Sequence, residues 1–255
     1  MNITTLLDKV YFAPRLKKID FYANRAGELQ HRVLDRLVRM AENTEWGKKY
    51  DYKSIHTYED FRNRLPIQTY EEVKPYVERL RAGEQNLLWP SEIRWFAKSS
   101  GTTNDKSKFL PVSKEALNDT HYQGGKDAVA LYLGQNPDSR FFSGQGLILG
   151  GSHSPNLNSR HGLVGDLSAI LIQNIHPLVN CVRVPSKKIA LMSDFEKKIE
   201  AIANSAVSKD VTSLSGVPSW MLVLIKRILE KTGKQSLEEI WPNLEVFFHG
   251  GVAFT

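Results

Sequence analysis

The sequence predicts an α/β protein, on three observations. Apolar runs with strand character alternate with runs of helical period along most of the 255 residues. Short aromatic and branched segments, such as Ile93-Arg94-Trp95-Phe96-Ala97 and Leu244-Glu245-Val246-Phe247-Phe248, end in polar or glycine-rich turns. Several helical segments open on capping residues and close on glycine. Hydrophobic content of 41% and charged content of 24% suit a folded chain that buries its own core.

Residues 27–42 form the first periodic helix, with Leu29, Val33, Leu37 and Met40 at helical spacing. Thr57 with Asp60, and Thr69 with Glu72, predict capping boxes for two short helices separated by Pro66. Val73, Tyr76, Val77 and Leu80 line the second, and Gly83 stops it. A helical region over about 1–86 thus precedes an α/β region over about 87–255. Lys108-Phe109-Leu110-Pro111-Val112 is extended, because Pro111 disfavours a helical Leu110. Ser113 caps a helix to about Leu133, interrupted at Gly124-Gly125. Residues 146–151 read as a buried strand and turn, and 152–165 as a polar loop. Asp194 starts a helix with Phe195, Ile199, Ile202 and Ala206 on one face. Val211 to Leu214 is a strand, followed by a core helix from Ser219 to about Lys231 that ends at Gly233. Ser236 and Glu239 predict one more capping box.

The net charge of +6 is spread among acidic residues, without the clustered basic stripe that nucleic acid requires. No apolar run is long enough to span a bilayer, and Met1 to Tyr11 lacks a cleavage site. Neither nucleic acid nor membrane is an expected partner, and the expected setting is reducing and cytoplasmic. The single Cys181 excludes a disulfide framework and is expected to be a buried small hydrophobe. Ser152, His153 and Ser154 with His161 and Asp166 do not make a convincing metal set, and a Gly-x-Ser-x-Gly elbow is absent.

The chemistry concentrates between the two strands near residue 100. Ser99 to Lys108 holds five hydroxyl side chains, one glycine and two lysines. Glycine lets backbone N–H groups turn toward an anion. Hydroxyls donate to phosphate oxygens, and Lys106 or Lys108 supplies a mobile charge. A strand follows the loop instead of a helix, so this is not a Walker-type P-loop. The bland alternative is a polar surface loop.

Ser99-Ser100-Gly101-Thr102-Thr103 followed by Lys108-Phe109-Leu110-Pro111 resembles the phosphate loop of adenylate-forming enzymes. Leu65-Pro66-Ile67, Thr69-Tyr70-Glu71-Glu72, Pro75-Tyr76, Arg81 to Glu84, Trp241-Pro242-Asn243 and His249-Gly250-Gly251 resemble other segments of one family in that superfamily. It is the Gretchen Hagen family of auxin-responsive acyl-acid amido synthetases, here in a bacterial form. The resemblance implies the N-terminal portion of an adenylate-forming large domain, with mixed sheets flanked by helices. It implies ATP-dependent activation of a small carboxylic acid as acyl-adenylate, then amide formation with an amino acid. It assigns phosphate contacts to Ser99, Ser100, Thr102 and Thr103, the turn to Gly101, and the charge to Lys108; Lys108 and Thr102 are the catalytic candidates. Ser219, Trp220, His249, Gly250 and Gly251 are candidate substrate contacts. For Ser219 and Trp220 the alternative is the start of a core helix, and for His249 it is a simple turn. Asn104-Asp105 replaces a second loop glycine common in the family, which implies that Asp105 faces solvent. Motifs for adenine, ribose and the Mg2+ ligand lie further along in the family, so this chain is expected to be incomplete and inactive alone. Two alternatives stand beside this reading: an acyl-CoA or other carboxylate ligase, and a non-catalytic nucleotide- or acyl-binding module.

Overall fold

A computed structural model describes residues 3–99 and 108–250. In chain order the helices and strands open with α1 (Ile3–Leu7), α2 (Ala13–Asn24), α3 (Ala26–Ala41), α4 (Glu45–Lys49), α5 (Tyr58–Arg64) and α6 (Tyr70–Ala82). They continue with β1 (Trp95–Ser99), β2 (Lys108–Val112), α7 (Gln123–Gln135), β3 (Gln145–Leu149), β4 (Leu163–Gly165) and α8 (Leu167–Asn174). The last are β5 (Arg183–Val184), α9 (Lys187–Ala190), α10 (Phe195–Ala206), β6 (Val211–Gly216), α11 (Pro218–Thr232) and β7 (Val246–Phe248). The fold is α/β with mixed sheets and flanking helices. It divides into two compact units: Arg15–Asp127 with Pro155–Val164, and Met1–Pro14 with Ala128–Ser154 and Gly165–Thr255.

The first unit holds the antiparallel hairpin β1–β2, in a sheet of order β2-β1-β4. Leu163 joins it by donating its N–H to the Arg94 carbonyl at 2.8 Å. Phe96 and Ile93 are buried with Val77 and Leu80 of α6 and with Leu87 and Val164. The helix caps form as the sequence implies. The Asp60 carboxylate accepts from the Thr57 N–H at 2.9 Å, and Glu72 accepts from the Thr69 N–H at 2.6 Å. Gly83 ends α6 in the left-handed region at φ 109°, a conformation costly for other residues. On α3 the apolar stripe is present but uncovered. Val33, Leu37 and Met40 remain exposed, and Val38 and Ala41 are the buried residues instead.

The second unit is built on the parallel sheet β5-β3-β6-β7. Leu147, Leu149, Val211 and Leu214 of the strands pack against Ile199, Ile202 and Ala206 of α10 and Met221, Leu224 and Ile228 of α11. Leu147 to Leu149 of β3 reads as one apolar run, whereas β6 buries the hydroxyl residues Thr212 and Ser213 beside Val211 and Leu214. Pro218 starts α11 at its first turn and Gly233 ends it at φ 68°. Where β6 ends, glycine is required by space. A Cβ on Gly216 would stand 2.7 Å from the Leu149 carbonyl oxygen of β3.

Several expectations are corrected. Cys181 is exposed, because it falls in a 3-10 stretch (Pro177–Val182) outside the apolar core. Gly124-Gly125 lie inside α7; the irregularity precedes them as a π-helical stretch, Ala116–Tyr122. Glu239 accepts from the Gln235 and Ser236 N–H groups at 3.0 and 3.2 Å, yet the segment forms turns rather than a helix. Phe195 is partly exposed against Trp220, with ring centroids 5.8 Å apart, and does not share the buried face of α10. Ile3–Leu7 and Ala13–Asn24 form helices that the apolar pattern did not single out individually.

Two glycines give opposite expectations. Gly216→Ala is expected to cost about 1–3 kcal/mol, since backbone must move to admit the methyl group. Gly124→Ala, in a helix with open space around the site, is expected to stabilise by roughly 0.5–1 kcal/mol. Urea melts of both variants check the pair; equal effects would contradict the packing described for β3 and β6.

Candidate functional site

The structure presents two candidate regions, one in each unit. The first is the mouth of the β1–β2 hairpin. Register pairs Trp95 with Val112 and ends at Ser99 opposite Lys108. Both of these residues are half-buried. Of the residues expected to form a phosphate loop, Ser99 and Lys108 are therefore facing partners at the strand ends. Ser100, Gly101, Thr102 and Thr103, with Asn104, Asp105 and Lys106, lie outside the described residues.

β2 is an edge strand, and its outward groups are handled residue by residue. The Phe109 N–H donates to the Tyr70 hydroxyl of α6 at 2.9 Å, and that hydroxyl donates to the Phe109 carbonyl at 3.4 Å. In an antiparallel pair such outward-facing residues alternate, so Pro111 is the next. Its missing N–H therefore removes nothing from the ladder. The Lys108 ammonium stands over the Tyr70 ring, 5.5 Å from its centroid. The Arg81 guanidinium, also from α6, stands 4.0 Å from the centroid of the Phe109 ring.

The second region is the carboxyl edge of the parallel sheet. The chain runs from β3 outward to β5, then crosses back to β6 and on to β7. The strand order therefore reverses between β3 and β6, the place where open α/β sheets leave a crevice for ligands. The turn Gly150-Gly151-Ser152 follows β3 there, and Gly216 to Trp220 follows β6. Ser215 pairs with Phe248, which brings His249 and Gly250 beside the end of β6. Ser219, Trp220, His249 and Gly250 are all exposed at this edge. Gly251 lies outside the described residues. Met221 and Leu224, further along α11, face the core.

The turn after β3 is held by a group that the sequence reading did not single out. Lys198 of α10 is only 1% exposed. Its ammonium donates to the Gly150 carbonyl at 3.3 Å, the Gly151 carbonyl at 2.9 Å and the Ser152 hydroxyl at 2.7 Å. Three protons meet three acceptors. The Asp166 carboxylate accepts from the Ser152 N–H at 2.8 Å, and the Ser168 hydroxyl accepts from the Gly151 N–H at 2.8 Å. A side chain on Gly151 would collide with the Asp166 carboxylate. Burial pushes the Lys198 pKa down to about 8, and the Asp166 charge pulls it partly back. Burial likewise lowers His153, the next residue along. The sequence did carry a signal. Lys198 lies four residues before Ile202 and eight before Ala206, on the buried stripe of α10. Lysine next to lysine reads instead as a solvated face.

Among the described residues no group of three or more His, Cys, Asp or Glu side chains could hold a metal ion. Among them no helix is long and apolar enough to cross a membrane.

A family model described as the GH3 family N-terminal domain matches residues 15–255. An indole-3-acetic acid-amido synthetase of Arabidopsis thaliana, GH3.2, is 30% identical over 103 residues, 40% of this chain and 19% of that protein. A jasmonoyl–L-amino acid synthetase of Nicotiana attenuata, JAR4, is 26% identical over 106 residues, 41% of this chain and 18% of that protein. Among solved structures, the GH3.15 acyl acid amido synthetase superposes with a TM-score of 0.72 at 16% identity, covering 92% of this chain and 50% of that one. The same enzyme in complex with 2,4-DB gives 0.70 at 20% identity, covering 85% and 38%. The chain thus spans half or less of these two structures, and the matched segments are about a fifth of the length of these two relatives. At these identities the solved structures establish the fold.

Lys198 titrates in a testable window. Its folded pKa of about 8 lies below its ordinary value of 10.5, so between these limits the unfolded chain binds the extra proton. Stability from this group therefore rises as pH increases from 8 toward 10.5. Wild type is expected to gain about 2 kcal/mol on Lys198→Met between pH 8 and 10. Urea melts at the two pH values measure the difference, and parallel behaviour would refute the buried ammonium.

Proposed function

The chain belongs to the GH3 family, and from that premise we propose that it carries the phosphate-binding part of an ATP-dependent acyl-acid amido synthetase. The observation that supports this best is the register of the hairpin. It sets Ser99 opposite Lys108 at the two ends of a segment rich in hydroxyl groups. The donor set suits phosphate: hydroxyls, backbone N–H groups around a glycine, and one ammonium.

In this reading a carboxylate oxygen of the acid attacks the α-phosphorus of ATP. The bond to the β,γ-diphosphate breaks and pyrophosphate leaves. An amino acid amine then attacks the acyl carbon, displaces AMP and forms the amide. Negative charge grows on the departing pyrophosphate, and donors fixed beside it lower the barrier. Ser99, Ser100, Thr102 and Thr103 are the proposed hydroxyl contacts, with the turn at Gly101. Lys108 places its charge there, and with Thr102 it is the catalytic pair. Ser219, Trp220, His249, Gly250 and Gly251 are proposed to line the acid or adenine site at the sheet edge, where exposed glycine admits a flat ligand. Magnesium, when bound with ATP, offsets phosphate charge, and its protein ligand is proposed to lie outside this chain. The substrate class, a small carboxylic acid and an amino acid, follows the names of the relatives. A reducing, cytoplasmic setting completes the proposal.

Isothermal titration with MgATP tests the loop directly. Lys108→Met is expected to weaken binding roughly tenfold or more, the loss of a charge-assisted hydrogen bond. Thr102→Ala is expected to weaken it about threefold to tenfold, as for a neutral one. Carboxylate-dependent ATP–pyrophosphate exchange by the full-length protein, with indole-3-acetate and jasmonate as acids, then follows the adenylation step. Unchanged MgATP affinity in both variants would remove the hairpin from the nucleotide site.

A further inference from the structure

We infer that Tyr70 is a positioning residue for Lys108, and that α6 acts as a clamp on the strand that carries it. The inference rests on the proposed phosphate role of Lys108. Its structural basis is independent of that role.

α6 grips β2 at two points on one helix face. Tyr70 and Arg81 are eleven residues apart, close to three full turns at 3.6 residues per turn. They therefore project in nearly the same direction. Arg81 covers the Phe109 ring at 4.0 Å, and its guanidinium also donates to the Leu157 carbonyl at 3.0 Å. Tyr70 takes the Phe109 backbone on both its donor and its acceptor side. Its hydroxyl thus stands where a neighbouring strand would otherwise bond, and holds the outer edge of β2 in place.

The same residue then reaches one position further toward the loop. Its ring lies 5.5 Å from the Lys108 ammonium, within cation–π range. One side chain therefore fixes the backbone after Lys108 and supports the end of the Lys108 side chain. A flexible lysine at the end of an edge strand would otherwise sample many rotamers, and ordering it on binding would cost entropy. Capping chemistry at Thr69 anchors the arrangement. The Glu72 carboxylate accepts from both the Thr69 N–H and the Thr69 hydroxyl, at 2.6 and 2.7 Å, which fixes the first turn of α6 immediately before Tyr70. The backbone hydrogen bond at Thr69, chief among these contacts, holds the Glu72 carboxyl below its usual range.

The two contributions separate by substitution. Tyr70→Phe removes the hydrogen bonds to Phe109 and keeps the ring under Lys108. Tyr70→Leu removes both. With MgATP as the probe in isothermal titration of the native protein, Tyr70→Phe is expected to weaken binding about fivefold, because the two hydrogen bonds that hold the Phe109 backbone are lost. Tyr70→Leu is expected to lose a further two- to fivefold, from the ring. In a Lys108→Met background the step from Phe to Leu is expected to vanish, because its target is gone. A purely structural tyrosine would show that step at full size in both backgrounds, and this result overturns the inference. So does wild-type affinity in both Tyr70 variants when Lys108→Met is itself impaired. Wild-type affinity in Lys108→Met overturns the phosphate reading, and the inference falls with it.

Discussion

Four parallel strands cannot be joined by hairpins, and this constraint organises the larger unit. Each crossover must leave one end of the sheet and return to the other, so the segments leaving β3, β6 and β7 gather at a single edge. The packing core of α10 and α11 follows from the same need, since these helices cover apolar strands. Close strand ends leave little room, and Gly216 and Gly151 occur where a side chain would strike a carbonyl or a carboxylate. The polar groups in such a crowded turn still need partners. Lys198 supplies them from below, with a charge that folding must desolvate.

The smaller unit meets a different constraint with different means. An antiparallel hairpin has a free edge, and β2 has no strand on its far side among the described residues. Helix α6 takes the neighbour's place through Tyr70 and Arg81. In both units the residues around a candidate site are held by side chains that come from a distant helix. In both, the holding group is polar and at least partly buried.

Much of this was legible locally. Thr57 with Asp60 and Thr69 with Glu72 announce helix starts because capping is a three-residue interaction. β3 was legible because Leu147-Ile148-Leu149 is an apolar run, and β6 because Val211 to Leu214 is a short segment running into the turn at Gly216. The α/β class followed from their alternation with helices. β4 and β5, of three and two residues, carry no period to detect. Cys181 was misplaced because composition speaks for burial while its position in an irregular 3-10 stretch decides exposure. At Ser236 and Glu239 the carboxylate accepts from the Ser236 N–H as in a capping box, yet no helix follows. Composition marked the segment and left Lys106 and Lys108 open, the resemblance pointed to Ser99 and Lys108, and the strand register sets these two face to face. The roles of Lys198 and Tyr70 were not legible because they depend on contacts far along the chain. Lys198 meets residues 46–48 positions away, and Tyr70 one 39 positions away.

The outward edge of β2 has a consequence for the behaviour of the protein in concentrated solution. Exposed strand edges invite pairing with another molecule, and that route leads to aggregation. Here the Phe109 donor and acceptor are already engaged by a phenol, and Pro111 offers no donor at all. A second chain approaching this edge would find no continuous ladder to extend. The outer edge of the hairpin therefore does not serve as a template for intermolecular sheet growth.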